Sequence, residues 1–147
     1  MVAPSPDPGR RWAPMVLLPV IALVAVVAAF VLHPQWVVEV SLGDFLLVTV
    51  FLGGGAAWMS GRAVAKVWSP FLLVFVYSVL VTCAVRFCHF ALFHGTLLSL
   101  KYFLVELVIL LSIASLGFRT VRKQQMTLRY GWLYESSGPL AWRPRQG

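Results

Sequence analysis

Charge is what this sequence has least of. Five acidic residues (Asp7, Glu39, Asp44, Glu106 and Glu135) and twelve basic ones are spread over 147 positions, so 12% of the chain is charged while 60% is hydrophobic. A water-soluble domain carries about a quarter charged residues, and that shortfall excludes an ordinary soluble fold. Cysteine is nearly absent as well. Cys83 and Cys88 are the only two, and five residues of helix turn through about 500°, which points their side chains roughly 140° apart and disfavours a disulfide. They read most simply as small buried hydrophobes.

Other absences bear on chemistry. The glycine cluster FLGGGAAWMSGR lacks the Gly-Lys-Ser/Thr ending that gives a phosphate loop its lysine and its magnesium ligand. No Ser-His-Asp or Cys-His arrangement with a third orienting group is legible, so the expectation is a non-enzymatic protein. His89, His94, Cys83 and Cys88 are scattered round one helix and its end, and His33 lies in a loop. They do not make the converging ligand set of a metal site or the facing histidine pair of a haem site, so no cofactor is expected. A haem- or quinone-linked redox subunit stays as an alternative. No nucleic-acid-binding motif is present.

What the chain does have is long apolar runs. Residues 13–32 carry no charge, and about twenty residues at 1.5 Å each cross a hydrocarbon core of about 30 Å. Further runs lie at 42–61, 70–93 and 96–118. These predict an all-α integral membrane bundle of four transmembrane helices. Arg10 and Arg11 before the first run, with Ala28 and Ala29 near its end, also fit a signal peptide. The length of the run favours an uncleaved anchor; three helices would remain if it were removed.

Basic residues set the orientation. Arg10 and Arg11 precede the first run, Arg62 and Lys66 lie between the second and third, and six follow the fourth. The segments 33–41 and 94–95 contain none. The positive-inside rule then places both termini and the middle loop in the cytoplasm, where the net charge of +7 suits anionic headgroups. Residues 1–12 are expected to be disordered. Ser69–Pro70 reads as an N-cap followed by proline in the first turn, and His94–Gly95–Thr96 as a minimal turn with Thr96 capping the fourth helix. The tail 119–147 places Arg119, Arg122, Lys123, Arg129, Trp132, Tyr134 and Trp142 together, as expected of a segment lying at the headgroup boundary.

Two constellations stand out. Gly53, Ala57 and Gly61, with Ala56 and Ser60 alongside, form a small-residue stripe that lets helix backbones approach closely, whether in another subunit or in this chain. The second is the intramembrane group Arg86, His89, Lys101 and Glu106. Counting from Gly95 as the turn puts Arg86 about 13 Å and Glu106 about 16 Å deep, near enough to pair across a hairpin. Lys101 sits shallow enough to snorkel, with Asp44 as a partner. The group is either a satisfied ion pair or the lining of a polar cavity or partner contact.

Three blocks, FLLVTVFLGGGAAWMSGRAVA, AVRFCHFALFHGTLLSLKYFLVELVILL and SLGFRTVRKQQMTLRYGWLYESSGPLAWRPR, resemble in order a family of small uncharacterised bacterial inner-membrane proteins with a domain of unknown function. The likeness runs from about Asp44 to Arg145. Members are often shorter and lack the first span, so residues 1–36 are an addition, and His94 stands where an acidic residue is expected. The resemblance implies no activity. Its genes often lie near those of branched-chain amino-acid ABC transporters, which implies a partner role beside such a permease. The expected function is therefore an accessory or assembly subunit of a larger membrane complex. The alternative is a small self-associating channel or transporter with a charged path.

Overall fold

The computed structural model describes residues 8–145, with side chains from Pro14 onward. Helix α1 spans Pro8–Leu32, and a single-turn helix α2, Pro34–Val37, follows it. A second short helix, α3 (Leu42–Phe45), runs through a π-helical segment, Leu46–Gly53, into α4 (Gly54–Lys66). Helix α5 covers Leu72–Phe93 and α6 Leu100–Arg129; two three-residue strands, β1 (Tyr134–Ser136) and β2 (Trp142–Pro144), close the chain. Four stretches are long and apolar enough to cross a membrane: Pro14–Leu32, Leu42–Lys66, Leu72–Phe93 and Leu100–Arg129. The all-α membrane-type bundle expected from the sequence is the fold observed.

Helix α6 is the axis of the bundle, with α1, α4 and α5 all packed on it. Its buried face presents Leu110, Ala114, Phe118 and Val121 to Ala57, Val64 and Ala65 of α4 and to Val74 and Val85 of α5. Helix α1 joins at the side through Leu23, Val26, Ala29 and Phe30, around a second cluster of Val37, Phe45 and Ile109. The small-residue stripe explains why α4 is the closest partner of α6. Gly53, Ala57 and Gly61 are all buried. A Cβ on Gly61 would overlap the Ala114 carbonyl, and one on Gly117 of α6 would stand 2.6 Å from the Trp58 carbonyl oxygen. Of the two sources of contact weighed for the stripe, the one within this chain is realised.

Buried hydroxyls are satisfied without water. Ser78, Thr82, Ser112 and Ser115 each donate to the carbonyl four residues back, at 2.6–2.7 Å. That is the cheapest way to keep small polar groups inside an apolar bundle.

Several expected boundaries move. Residues 8–12, expected to be disordered, belong to α1; residues 1–7 lie outside the described part. Helix α5 starts at Leu72 rather than Pro70, and Ser69 caps nothing: Trp68 takes a positive φ of 59°, and the Ser69 carbonyl accepts from Arg122 at 2.8 Å. The hairpin is looser than the three-residue turn expected, because α5 ends with His94 in the left-handed region (φ 56°) and α6 does not begin until Leu100. Thr96 is therefore not a cap.

At its other end α6 continues eleven residues past Phe118 to Arg129. The sequence there, RTVRKQQMTLR, is rich in Arg, Lys, Gln and Met, all good helix formers, so polarity ends the span without ending the helix. Nineteen residues from Leu100 to Phe118 reach about 28 Å, which places Arg119 near one hydrocarbon boundary.

Candidate functional site

A buried ionic cluster joins the end of α5 to the start of α6. Arg86 and His89 share one face of α5, three residues apart, and Glu106 comes from the second turn of α6. The Arg86 side chain is 3% exposed, that of Glu106 3% and that of His89 1%. Arg86 Nη1 donates to Glu106 Oε1 at 3.2 Å, so the expected pair across the hairpin forms. Because the connection is six residues long, Arg86 lies about 10 Å below the end of α5 and Glu106 about 9 Å below the start of α6.

The pair is only half of the arrangement. Glu39, in the segment between α2 and α3, reaches Arg86 Nη2 with Oε2 and makes a second salt bridge. Its other oxygen, Oε1, accepts from the Thr96 backbone N–H at 3.0 Å and from the Thr96 hydroxyl. Arg86 Nη2 also donates to the Thr96 carbonyl at 2.6 Å. Thus 94–99 folds back over the cluster, and Glu39 and Arg86 hold it from two directions. Burial opposes ionisation of Glu39, but hydrogen bonds from the Thr96 hydroxyl, the Arg86 guanidinium and the Thr96 N–H outweigh it and hold the carboxyl below its ordinary range. The guanidinium of Arg86 further lies 5.5 Å from the Tyr102 ring, whose hydroxyl donates to the Gln35 carbonyl at 3.2 Å.

His89 connects the cluster to the π-helical segment. Its Nε2 stands 2.8 Å from Thr49 Oγ1 and 3.5 Å from Glu106 Oε1, with the Phe45 and Phe93 rings against the imidazole. The wider turn of a π-helix is a frequent device for placing one side chain at a site, and here it brings a fully buried Thr49 to the histidine. Beside the cluster, Cys83, Arg86, Leu97, Leu98, Ser99, Leu100 and Phe103 line an apolar cavity of about 350 Å³.

The expected group of four is thus brought together in three members. Lys101 is left out: it is exposed, with Nζ 5.1 Å from the Tyr102 ring. Asp44, its expected partner, instead accepts from the Ser41 hydroxyl at 2.6 Å and helps to start α3. The sequence reading missed Glu39, Thr96 and Thr49 as members. A signal for Glu39 was present: it is the one acidic residue of WVVEV, on the same predicted side as the 94–99 turn, where no basic residue balances it. Among the described residues, no group of three or more His, Cys, Asp or Glu is placed to hold a metal ion.

At the other end, the tail residues lie on the last turns of α6 and on the β1–β2 hairpin. Arg119, Arg122, Lys123 and Arg129 are all on α6. The Arg119 guanidinium stacks 4.4 Å over the Trp142 ring and donates to the Leu140 carbonyl at 3.2 Å. Arg122 stacks on Trp68 and Phe118 at 4.6 and 5.0 Å. Trp142 is buried by this and Tyr134 is half-buried, while Trp132 is exposed as an interfacial anchor would be. The strands pair antiparallel, Glu135 opposite Arg143, with a 2.6 Å salt bridge between them. A guanidinium plane over an aromatic ring, Arg119 on Trp142, holds the tail back against the helix.

Neither the curated proteins nor the solved structures give a match to this chain. Residues 40–145 match the family model for the domain of unknown function DUF6867, a stretch that begins just after Glu39 and contains every other member of the cluster. The chain belongs to the DUF6867 family.

Proposed function

We propose that this protein is a non-enzymatic accessory or assembly subunit of a larger complex in a bacterial inner membrane, with both termini in the cytoplasm. The observation that carries the reading is that the buried guanidinium and the small-residue stripe both find their partners inside the chain. Arg86 is engaged by Glu39, Glu106 and Thr96, and the small-residue stripe is spent on α4–α6 packing. A cation paired twice within its own chain supports a role in holding shape, and it argues against the second reading, a charge-lined conduction path.

The outward surface offers a contrast. Leu17, Leu18, Ile21 and Val24 of α1 and Leu80, Phe87 and Leu92 of α5 are exposed apolar residues, open to lipid or to a partner's helices. The division of basic residues supports the orientation and contact with anionic headgroups at the cytoplasmic face. The family resemblance supports an amino-acid ABC transporter as the first partner class.

Affinity purification from native membranes in mild detergent, with mass spectrometry of the eluate, tests it. A permease or ATPase subunit at fixed stoichiometry is the expected result. Recovery of the chain alone as a defined oligomer, with ion leak in liposomes that Arg86→Gln changes, would establish the channel instead.

A further inference from the structure

The charges of the cluster do not sum to zero as drawn. Arg86 contributes one positive charge, and Glu39 and Glu106 one negative charge each when ionised. Glu39 has ample cause to stay ionised, since it accepts from Arg86 and twice from Thr96. It therefore balances Arg86. The remaining polar groups, Glu106 and His89, then carry a net negative charge unless a proton is added. Other charged groups nearby do not help: Asp44 is turned to Ser41 and Lys101 is exposed beside Tyr102. An uncompensated charge inside a membrane is costly, and such groups are paired or neutralised.

Of the cluster's buried atoms without a hydrogen-bond partner, Arg86 Nε already carries its proton, and the other two sit on the groups able to take one. Glu106 Oε2 and His89 Nδ1 are both buried without a hydrogen-bond partner, in side chains 3% and 1% exposed. Their other atoms face one another, Glu106 Oε1 lying 3.5 Å from His89 Nε2. A proton on the carboxyl makes Glu106 neutral; a proton on the imidazole gives it a cation facing the carboxylate. Either one closes the charge balance, and a second would reopen it with the opposite sign. We propose that His89 and Glu106 form a binding site for one proton, enclosed by Phe45, Phe93, Thr49 and Arg86 and covered by the Glu39–Thr96 contact. The inference stands apart from the accessory-subunit reading, because it concerns only what the buried pair holds.

The test uses the whole chain in lipid at neutral pH. His33→Gln and His94→Gln, both exposed positions, leave His89 as the only histidine, so its nitrogen-15 signals report neutral imidazole or imidazolium directly. Infrared spectra of carbon-13-glutamate-labelled protein report a protonated carboxyl. Glu135→Gln, far from the cluster, leaves Glu39 and Glu106 as the labelled pair, and Glu106→Gln assigns the band if that variant folds. The expected result is one proton on the pair: imidazolium with two carboxylates, or neutral imidazole with Glu106 as the one protonated carboxyl. Neutral imidazole with both glutamates ionised overturns the proposal, as does imidazolium together with a protonated carboxyl.

Discussion

Arg86 shows why a buried cation needs more than one partner. A single carboxylate would neutralise the charge but leave most of five N–H donors unpaired; Glu39 and the Thr96 carbonyl take up the second terminal nitrogen. Unequal mutant effects follow. Glu106→Leu leaves Arg86 still paired to Glu39, whereas Arg86→Leu strands two carboxylates. Arg86→Leu should cost about 3–5 kcal/mol, the range for breaking a buried ion pair. Glu106→Leu should cost clearly less, as read by thermal unfolding in detergent. Adding Arg86→Leu to Glu106→Leu should then restore little, because Glu39 remains without its cation. Glu39 also sets a pH dependence. Its folded pKa is depressed, so its contribution is fully present above the unfolded value of about 4.3 and is lost as pH falls through the folded one. Melting temperature measured from pH 6 down to pH 3 should drop in the wild type, and the part due to Glu39 should vanish in Glu39→Gln. The Arg86–Glu106 pair was legible in the sequence because helix rise fixes relative depth from residue counts. Glu39 was visible as an unbalanced acid, but its contact with Arg86 was not legible, because it reaches the pair from an irregular segment whose path no periodicity describes.

Among the helices, backbone proximity decides more than side-chain volume. Gly61 sits where α4 meets the backbone of α6, while Gly55, six residues earlier and on another face, has nothing within 4 Å of the place a Cβ would occupy. Gly61→Ala should lower stability by about 1–3 kcal/mol as an overpacked contact. Gly55→Ala should be neutral or slightly stabilising, since alanine is the better helix former. Thermal unfolding of the two variants side by side checks both, and equal effects would contradict the packing described. The four-residue spacing of Gly53, Ala57 and Gly61 was readable as a contact stripe, but spacing does not name the partner. Its partner became clear only with Ala114 and Gly117 placed opposite. The π-helical segment was invisible for a similar reason, since LLVTVFLG is apolar all round and carries no periodic face to register an extra residue per turn.

For the molecule as a whole, the two ends of α6 are fastened differently. Near Leu100 the fastening is ionic and buried; near Arg129 it is guanidinium on aromatic ring, with Arg119 on Trp142 and Arg122 on Trp68. Trp142→Ala should release the β1–β2 hairpin while leaving the bundle intact. Limited proteolysis should then cut within residues 130–145 at a rate at least several-fold above the wild type, with little change in helical circular dichroism. The four-helix architecture was legible from hydropathy because about twenty apolar residues have few other uses. The folded tail was not, because tryptophan and arginine are equally at home at a headgroup boundary and against each other.

Glu39, from outside the helices, and Arg86, from within α5, hold each other. A double-mutant cycle with Glu39→Gln and Arg86→Gln, followed by thermal unfolding in one detergent, measures that coupling. The cluster described here predicts effects that fall short of additivity by about 1–3 kcal/mol, as for residues in one buried network. Effects that add within about 0.5 kcal/mol would mean that the two side chains do not meet.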